Sequence, residues 1–298
     1  MMDALGRARL SLEGLSVADA FGEQLLHIGP EGRILALDHH TAPLRKKWMW
    51  TDDTAMALSI VETLAAFGEI DIEELAYRFG QRYHLESARG YGAGAHKVLD
   101  AIYCGIPYAT AARMVFDGQG SCGNGGAMRS APIGAYFAGD LDAVVEHARR
   151  SSQPTHAHPD GAAGAIAVAV AAALAFAGER DSRALLETVV ERTPAGPTRD
   201  GLRRAIPLLR AEHYTVAAEL GNGSRVLAAD TVPFAVWCAA THLDDFAGAC
   251  WACAEVGGDI DTTCAMAGGI IVGAVGADGI PADWRTCREP LPPLSIPS

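Results

Sequence analysis

Gly257-Gly258-Asp259-Ile260-Asp261-Thr262-Thr263 opens a long run of small and apolar residues over 264–277. Paired glycines lower the steric barrier to tight backbone geometry, and an Asp or Thr just ahead of an apolar helical run is an N-cap signal. The stretch therefore predicts a buried helix with two carboxylates at its start. Far upstream, Thr51-Asp52-Asp53-Thr54 repeats the arrangement ahead of Ala55-Met56-Ala57-Leu58-Ser59-Ile60-Val61. Convergence of the two helix starts would bring four carboxylates together. Such a cluster repels itself unless cations neutralise it, because like charges a few ångströms apart are costly to keep ionised. Neither segment contains His or Cys, so the all-oxygen donor set favours Mg2+ or Mn2+ over Zn2+. The competing reading is that each Asp only caps its helix, but a cap uses one side chain per helix and each start here carries two.

Outward from these two segments the pattern is helical. Residues 14–23 read as an apolar helix interrupted by Asp19 and Glu23, which share a face because they are four apart. An acid on an apolar face needs a partner when buried, so Asp19 is expected either to satisfy backbone groups or to approach the metal cluster. Apolar spacings of three and four recur over 71–83 and 95–104. Asp140, Asp181 and the pair Asp244-Asp245 stand as helix starts ahead of 141–152, 182–193 and 246–256. Residues 28–44, with Gly, Pro and the pair His39-His40, are expected to form a loop with at most a short hairpin. Alternation of period two is nearly absent. The expected fold is all-α, a single compact multi-helix domain over 1–298 with its metal site at helix N-termini. The uncharged, alanine-dominated stretch 161–178 approaches membrane-spanning length, but it is flanked by Asp160 and Glu179 and is expected to be the central buried helix. The proline-rich residues 290–298 are expected to be an extended tail.

Charge and cysteine usage narrow the class. Lys plus Arg number 24 against 36 Asp plus Glu, a net charge of −12. That balance argues against nonspecific nucleic-acid binding or attachment to anionic membranes. Residues 1–13 carry Asp3, Arg7 and Arg9 with no uninterrupted apolar core, so no secretory signal is visible and a cytoplasmic location is expected. Seven cysteines at unpatterned spacing suit reduced thiols, and the lone Cys250-Trp251-Ala252-Cys253 reads as buried packing. Oligomeric state is not legible.

Three further segments carry candidate binding chemistry. Glu86-Ser87-Ala88-Arg89-Gly90-Tyr91-Gly92-Ala93-Gly94 describes a loop whose glycines let backbone approach a ligand, with Tyr91 available for stacking. Gly120-Ser121-Cys122-Gly123-Asn124-Gly125-Gly126-Ala127-Met128-Arg129 is a second glycine-rich loop entering a helix, where backbone N–H groups suit a phosphate. It lacks the Lys-Ser/Thr ending of a P-loop. Thr155-His156-Ala157-His158-Pro159-Asp160 places two histidines at the entrance of the central helix, able to donate hydrogen bonds to a phosphate or sugar.

Taken in order, Asp19-Ala20-Phe21-Gly22, Thr51-Asp52-Asp53-Thr54, Arg89-Gly90-Tyr91-Gly92, Gly123-Asn124-Gly125 with Met128-Arg129, Thr155-His156 and Gly258-Asp259-Ile260-Asp261-Thr262 resemble the ADP-ribosylglycohydrolase family over nearly the whole chain. The resemblance implies an all-α fold holding two Mg2+, with Mn2+ as a substitute, on Thr51, Asp52, Asp53, Asp259, Asp261 and Thr262. It places the diphosphate and ribose of ADP-ribose on Ser121, Gly123, Asn124 and Gly125, with Met128, His156 and the Arg89, Gly90, Tyr91, Gly92 loop also contributing substrate contacts. The implied activity is hydrolysis at ribose C1 of an ADP-ribosylated protein or another ADP-ribose derivative. Asp52 or Asp53 would act as general base, and surrounding carboxylates such as Asp261 would stabilise positive charge on the sugar. Three positions depart from the family pattern. Ala18 replaces a glycine, Cys122 stands where some relatives carry an aromatic residue for adenine, and Leu26 stands where many carry a glutamate. Glu23 and Glu86 are the candidate replacement acids. A guanidine leaving group depends less on a tailored acid than an alkoxide does, so arginine is the favoured acceptor. The alternatives are hydrolysis of a free ADP-ribose derivative, or a catalytically idle binding or structural homologue.

Overall fold

The computed structural model describes residues 2–44 and 47–294, and over these the chain is helical, with no strand and only two isolated bridges, Trp48 with Arg288 and Gly123 with Leu227. Local capping accounts for many of the helix starts. Asp71, Asp140, Asp181 and Asp245 each accept the backbone N–H three residues on, at 2.9, 3.0, 2.8 and 2.9 Å. They head the helices Ile72–Leu85, Leu141–Ser152, Ser182–Arg192 and Phe246–Glu255, the last three at the starts that the sequence predicts. Cys250 and Cys253 are free thiols buried within the last of these.

The Ala4–His27 and Ile260–Val275 helices lie antiparallel against each other, Gly14 opposite Gly268 and Gly22 opposite Asp261. Missing side chains allow this approach. A Cβ on Gly14 would fall 2.6 Å from the Gly268 carbonyl oxygen, and one on Gly268 would fall 2.4 Å from Ala18 Cβ. Gly14, Ala18 and Gly22 are four apart and share one helix face. The Ser11 hydroxyl adds a hydrogen bond to the Gly269 carbonyl at 2.8 Å.

The Pro159–Ala177 helix packs against the Ile260–Val275 helix and is buried along most of its length. Its mean hydropathy of 1.8 would suit a membrane span, yet 78% of it is buried within the fold. This is the burial of a core helix, as expected.

One expectation needs correction. Residues 28–44 are not simply a loop, because Pro30–His39 is helical. Gly29 at φ 75° leads into Pro30 at the first helical position, where its fixed φ suits the turn. Glu31 in the first turn and His39 in the last complement the helix dipole. Only Ala36 of this helix is buried, and Ile34 and Leu35 are exposed, so no apolar periodicity announces it. The glycine-rich loop enters a helix as expected, a single turn over Gly125–Met128. The extended tail is described only as far as Leu294, with Leu291 and Leu294 packed against the core; 295–298 lie outside the described residues.

Candidate metal centre and nucleotide loop

The Asp52–Phe67 and Ile260–Val275 helices both begin at the open end of the Ala4–His27 helix, and Gly22 sets how closely they meet there. A Cβ at Gly22 would lie 2.6 Å from Asp261 Cα, so its absence lets the start of the Ile260–Val275 helix reach the level of Asp19. Gly257 and Gly258 turn the chain into that helix with φ 67° and 77°. A side chain at Gly258 would collide with the Asn222 carbonyl oxygen at 2.1 Å.

One oxygen each from Asp19, Asp53 and Asp261 lies within 4.8 Å of the others, a group that could hold a metal ion. Asp19 serves both of the roles left open for it. Its carboxylate accepts from the Thr51 N–H at 3.0 Å, the Thr51 hydroxyl at 2.9 Å, the Thr54 N–H at 3.2 Å and the Thr54 hydroxyl. It thereby ties down the start of the Asp52–Phe67 helix while facing the other acids. Thr51 is itself the N-cap, its hydroxyl accepting from the Asp53 N–H at 3.3 Å. The Thr262 hydroxyl lies 3.3 Å from Asp53 Oδ2. Asp259 occupies the N-cap position of its helix but makes no cap hydrogen bond; its carboxylate accepts instead from Asn124 Nδ2 at 2.6 Å. The acids at the two starts are therefore not merely caps.

Burial and mutual repulsion dominate the electrostatics. Burial, partly offset by the Thr54 and Thr51 hydrogen bonds, pushes Asp19 up to about 6. Burial and then the Asp19 charge push Asp52 up to about 7. Asp53 and Asp261 are driven well above the usual carboxylate range by burial first and by neighbouring aspartates next. None of these acids, nor Asp259, forms an ion pair with Lys or Arg among the described residues. Asp53 Oδ1 is buried without a hydrogen-bond partner. An orphaned carboxylate oxygen within an all-oxygen cluster fits a hard divalent cation.

The glycine-rich loop is strapped beside this centre. Asn124 N–H donates to the Val226 carbonyl at 3.1 Å and Ala228 N–H to the Cys122 carbonyl at 3.0 Å. The Ser121 hydroxyl accepts from Gly123 N–H at 3.0 Å, shaping the turn. Asn124 Nδ2 also donates to the Thr231 hydroxyl at 3.1 Å, so Asn124 couples the loop to Asp259. Cβ atoms on Gly123 and Gly125 would fall 3.5 and 3.3 Å from His156 Nε2, which places that histidine beside the turn. Met128, expected among the substrate contacts, is buried with its sulfur toward Gly125 and supports the turn from below.

The 86–94 loop contributes differently from expectation. Asp52 N–H donates to the Arg89 carbonyl at 2.7 Å, and Gly90 lies against Asp52, a Cβ there falling 3.6 Å from its Oδ1. Gly92 has open space around it. The Arg89 guanidinium is engaged by Glu289 at 2.6 Å, by Glu86 at 3.4 Å and by the Trp50 ring, 3.4 Å from its centroid. Glu86 is thus an ion-pair partner. Tyr91 is not free for stacking; it is buried, edge-on to Tyr83 at 5.2 Å. Glu23 lies one turn beyond Asp19, near enough for its charge to act on Asp261, partly exposed and 2.8 Å from His27 Nε2. Leu26 points outward, 41% exposed.

Sequence reasoning passed over Phe116. Its ring is exposed, packs against Gly94, and belongs to a residue held at φ 52°. A bulky residue at positive φ is an outlier. The only linear cue is its place four residues before Gly120.

Comparison with known proteins agrees with this arrangement. The ADP-ribosylglycohydrolase family profile matches residues 1–292. The chain is 34% identical to ADP-ribosylhydrolase ARH3 of Homo sapiens over 80% of its own length and 74% of the relative's. It is 32% identical to ARH3 of Xenopus tropicalis, covering 83% and 79% respectively. An ADP-ribosylglycohydrolase-related protein complex shares the fold with a TM-score of 0.70 at 22% identity, over 97% of this chain and 94% of that one. With the two acidic helix starts, the glycine-rich loop and Thr155-His156 all assembled at one end of an all-α fold, this chain belongs to the ADP-ribosylglycohydrolase family and is a glycosidic-bond hydrolase.

Proposed function

We propose that the protein is a Mg2+-dependent hydrolase that releases ADP-ribose from a modified side chain by cleaving the glycosidic bond at ribose C1. The observation that carries this reading is the meeting of Asp19, Asp53 and Asp261 within 4.8 Å, beside a loop tied to Asp259 through Asn124. Thr51, Asp52, Asp53, Asp259, Asp261 and Thr262 would hold two Mg2+, joined by Asp19. When bound, the ions would supply Lewis acidity and orient the ribose hydroxyls and water. Asp52 is the better placed general base. It lies at the edge of the cluster against the Gly90 backbone, whereas Asp53 is buried among the other acids. The exposed Phe116 ring, packed against Gly94 and four residues ahead of Gly120, is a platform for adenine in place of an aromatic residue at Cys122.

Leu26, facing outward, supplies no acid, which supports arginine as the acceptor. A second reading rests on Glu23. Its partly exposed carboxyl, close enough to act on Asp261, supports proton donation to an alkoxide, hence an oxygen-linked acceptor such as serine or a free ADP-ribose derivative. The test measures ADP-ribose released from arginine-linked and serine-linked peptides and from a free derivative, with and without Mg2+, by the parent, Glu23→Gln and Glu86→Gln. Faster serine release by the parent, lost in Glu23→Gln, overturns the arginine reading. Glu86→Gln is expected to leave kcat unchanged because its partner is Arg89. Release that is indifferent to Mg2+ refutes the metal-dependent reading.

A further inference from the structure

Behind the glycine-rich turn, Arg129 is fully buried, yet none of its hydrogen bonds goes to a carboxylate. One terminal nitrogen donates to the Ser151 carbonyl at 3.0 Å and to the Thr155 hydroxyl at 2.8 Å, and the other lies 3.2 Å from the Met56 sulfur. The guanidinium carbon stands 4.4 Å from the Phe79 ring centroid, a cation–π contact. Thr155, itself buried, lies 2.7 Å from His156 Nδ1.

The direction of each bond in this chain follows from valence. A guanidinium has only donors, so the Thr155 oxygen accepts from Arg129. Its own hydrogen then needs an acceptor, and the one within reach is His156 Nδ1. A hydrogen on Nδ1 would leave the Thr155 hydroxyl proton buried with nowhere to go, which is more costly than forming the bond is favourable. His156 must therefore carry its hydrogen on Nε2, the atom that faces Gly123 and Gly125. Burial, and then the Arg129 charge, push His156 down to about 3, so the ring stays neutral.

We propose that Arg129 and Thr155 are positioning residues that hold His156 in its Nε2–H tautomer, making it an obligate hydrogen-bond donor to a ligand oxygen over the Gly123–Gly125 turn. A donor fixed in this way selects a phosphate or ribose oxygen and rejects a ligand that presents an N–H there. The identity of the ligand as ADP-ribose rests on the function proposed above; the tautomer does not.

The test separates the two. Long-range nitrogen–proton NMR of 15N-histidine-labelled, ligand-free protein reads which ring nitrogen of His156 bears hydrogen in the parent, Thr155→Val and Thr155→Ser. Calorimetry reads ADP-ribose and Mg2+ affinities in the same three proteins. The expected result is an Nε2–H tautomer in the parent, a mixed or reversed population in Thr155→Val, and restoration in Thr155→Ser. ADP-ribose affinity should fall about tenfold in Thr155→Val, the scale of one hydrogen bond to a charged group, with Mg2+ affinity unchanged and recovery in the serine variant. An Nδ1–H tautomer in the parent overturns the proposal whether or not the valine variant folds. So does a valine variant with unchanged tautomer and affinity. A parent with the Nε2–H tautomer that fails to bind ADP-ribose would uphold the relay and refute the ligand.

Discussion

Replacing Gly22 with alanine should damage catalysis far more than stability. The new Cβ would lie 2.6 Å from Asp261 Cα, 2.8 Å from its nitrogen and 2.9 Å from the Ile260 carbonyl oxygen. All three are backbone atoms, so no rotamer change can relieve the contact. Ordinary van der Waals contact begins near 3.4 Å, and the start of the Ile260–Val275 helix must retreat by about 0.8 Å. Overpacking of this kind costs about 1–3 kcal/mol, while glycine to alanine inside a helix returns about 1 kcal/mol. The net loss of about 0–2 kcal/mol lowers Tm by no more than about 8 °C. Nothing offsets the displacement of Asp261 from Asp19 and Asp53. A shift near 1 Å can cost about 100-fold in rate, so kcat/KM for ADP-ribose release should fall by that order and Mg2+ should bind more weakly. The assays are product release at saturating Mg2+ and calorimetric Mg2+ titration. Gly32→Ala is the control, because a Cβ there meets only Ile28 side-chain atoms at 3.6 Å or more; it should gain stability and keep activity. A Gly22→Ala protein with parental Mg2+ affinity and kcat/KM would refute the argument that this glycine sets the metal geometry.

Two further outcomes are expected. Mg2+ should raise Tm, because a ligand bound only by the folded state stabilises it, and Asp261→Asn should abolish the gain. The gain should also grow with pH. Asp19 and Asp52 sit at about 6 and about 7, above the ordinary 3.8, so without Mg2+ their ionisation opposes folding above those values and the penalty fades as pH falls toward about 4. A Mg2+ increment that stays flat from acidic to neutral pH would contradict the burial of these carboxylates. Phe116→Ala should weaken ADP-ribose by about 1–3 kcal/mol, the scale of base stacking on an aromatic ring. Its Tm should not fall, since the exposed ring contributes little packing and alanine tolerates φ 52° no worse. Unchanged affinity by calorimetry would remove Phe116 from the adenine site.

What the sequence determined by itself is what depends on near neighbours. Asp140, Asp181 and Asp245 announced their helices because a cap hydrogen bond spans three residues. Gly257-Gly258 announced a tight turn because positive φ belongs to single residues. The two acidic starts were legible as a pair because each carries more carboxylates than a cap requires. Pro30–His39 was missed because it buries only Ala36, so its face leaves no periodic trace. Tertiary structure alone decided matters of distant partnership. Asp19 could have been a cap or a metal neighbour until the Thr51–Thr54 turn, 32 to 35 residues away, came to rest on it. Arg89 left the list of free side chains when Glu289 arrived from 200 residues away. The tautomer of His156 depended on Arg129, 26 residues from the threonine between them. Burial, charge pairing and hydrogen-bond direction are set by whichever groups meet after folding, and no window along the chain contains them.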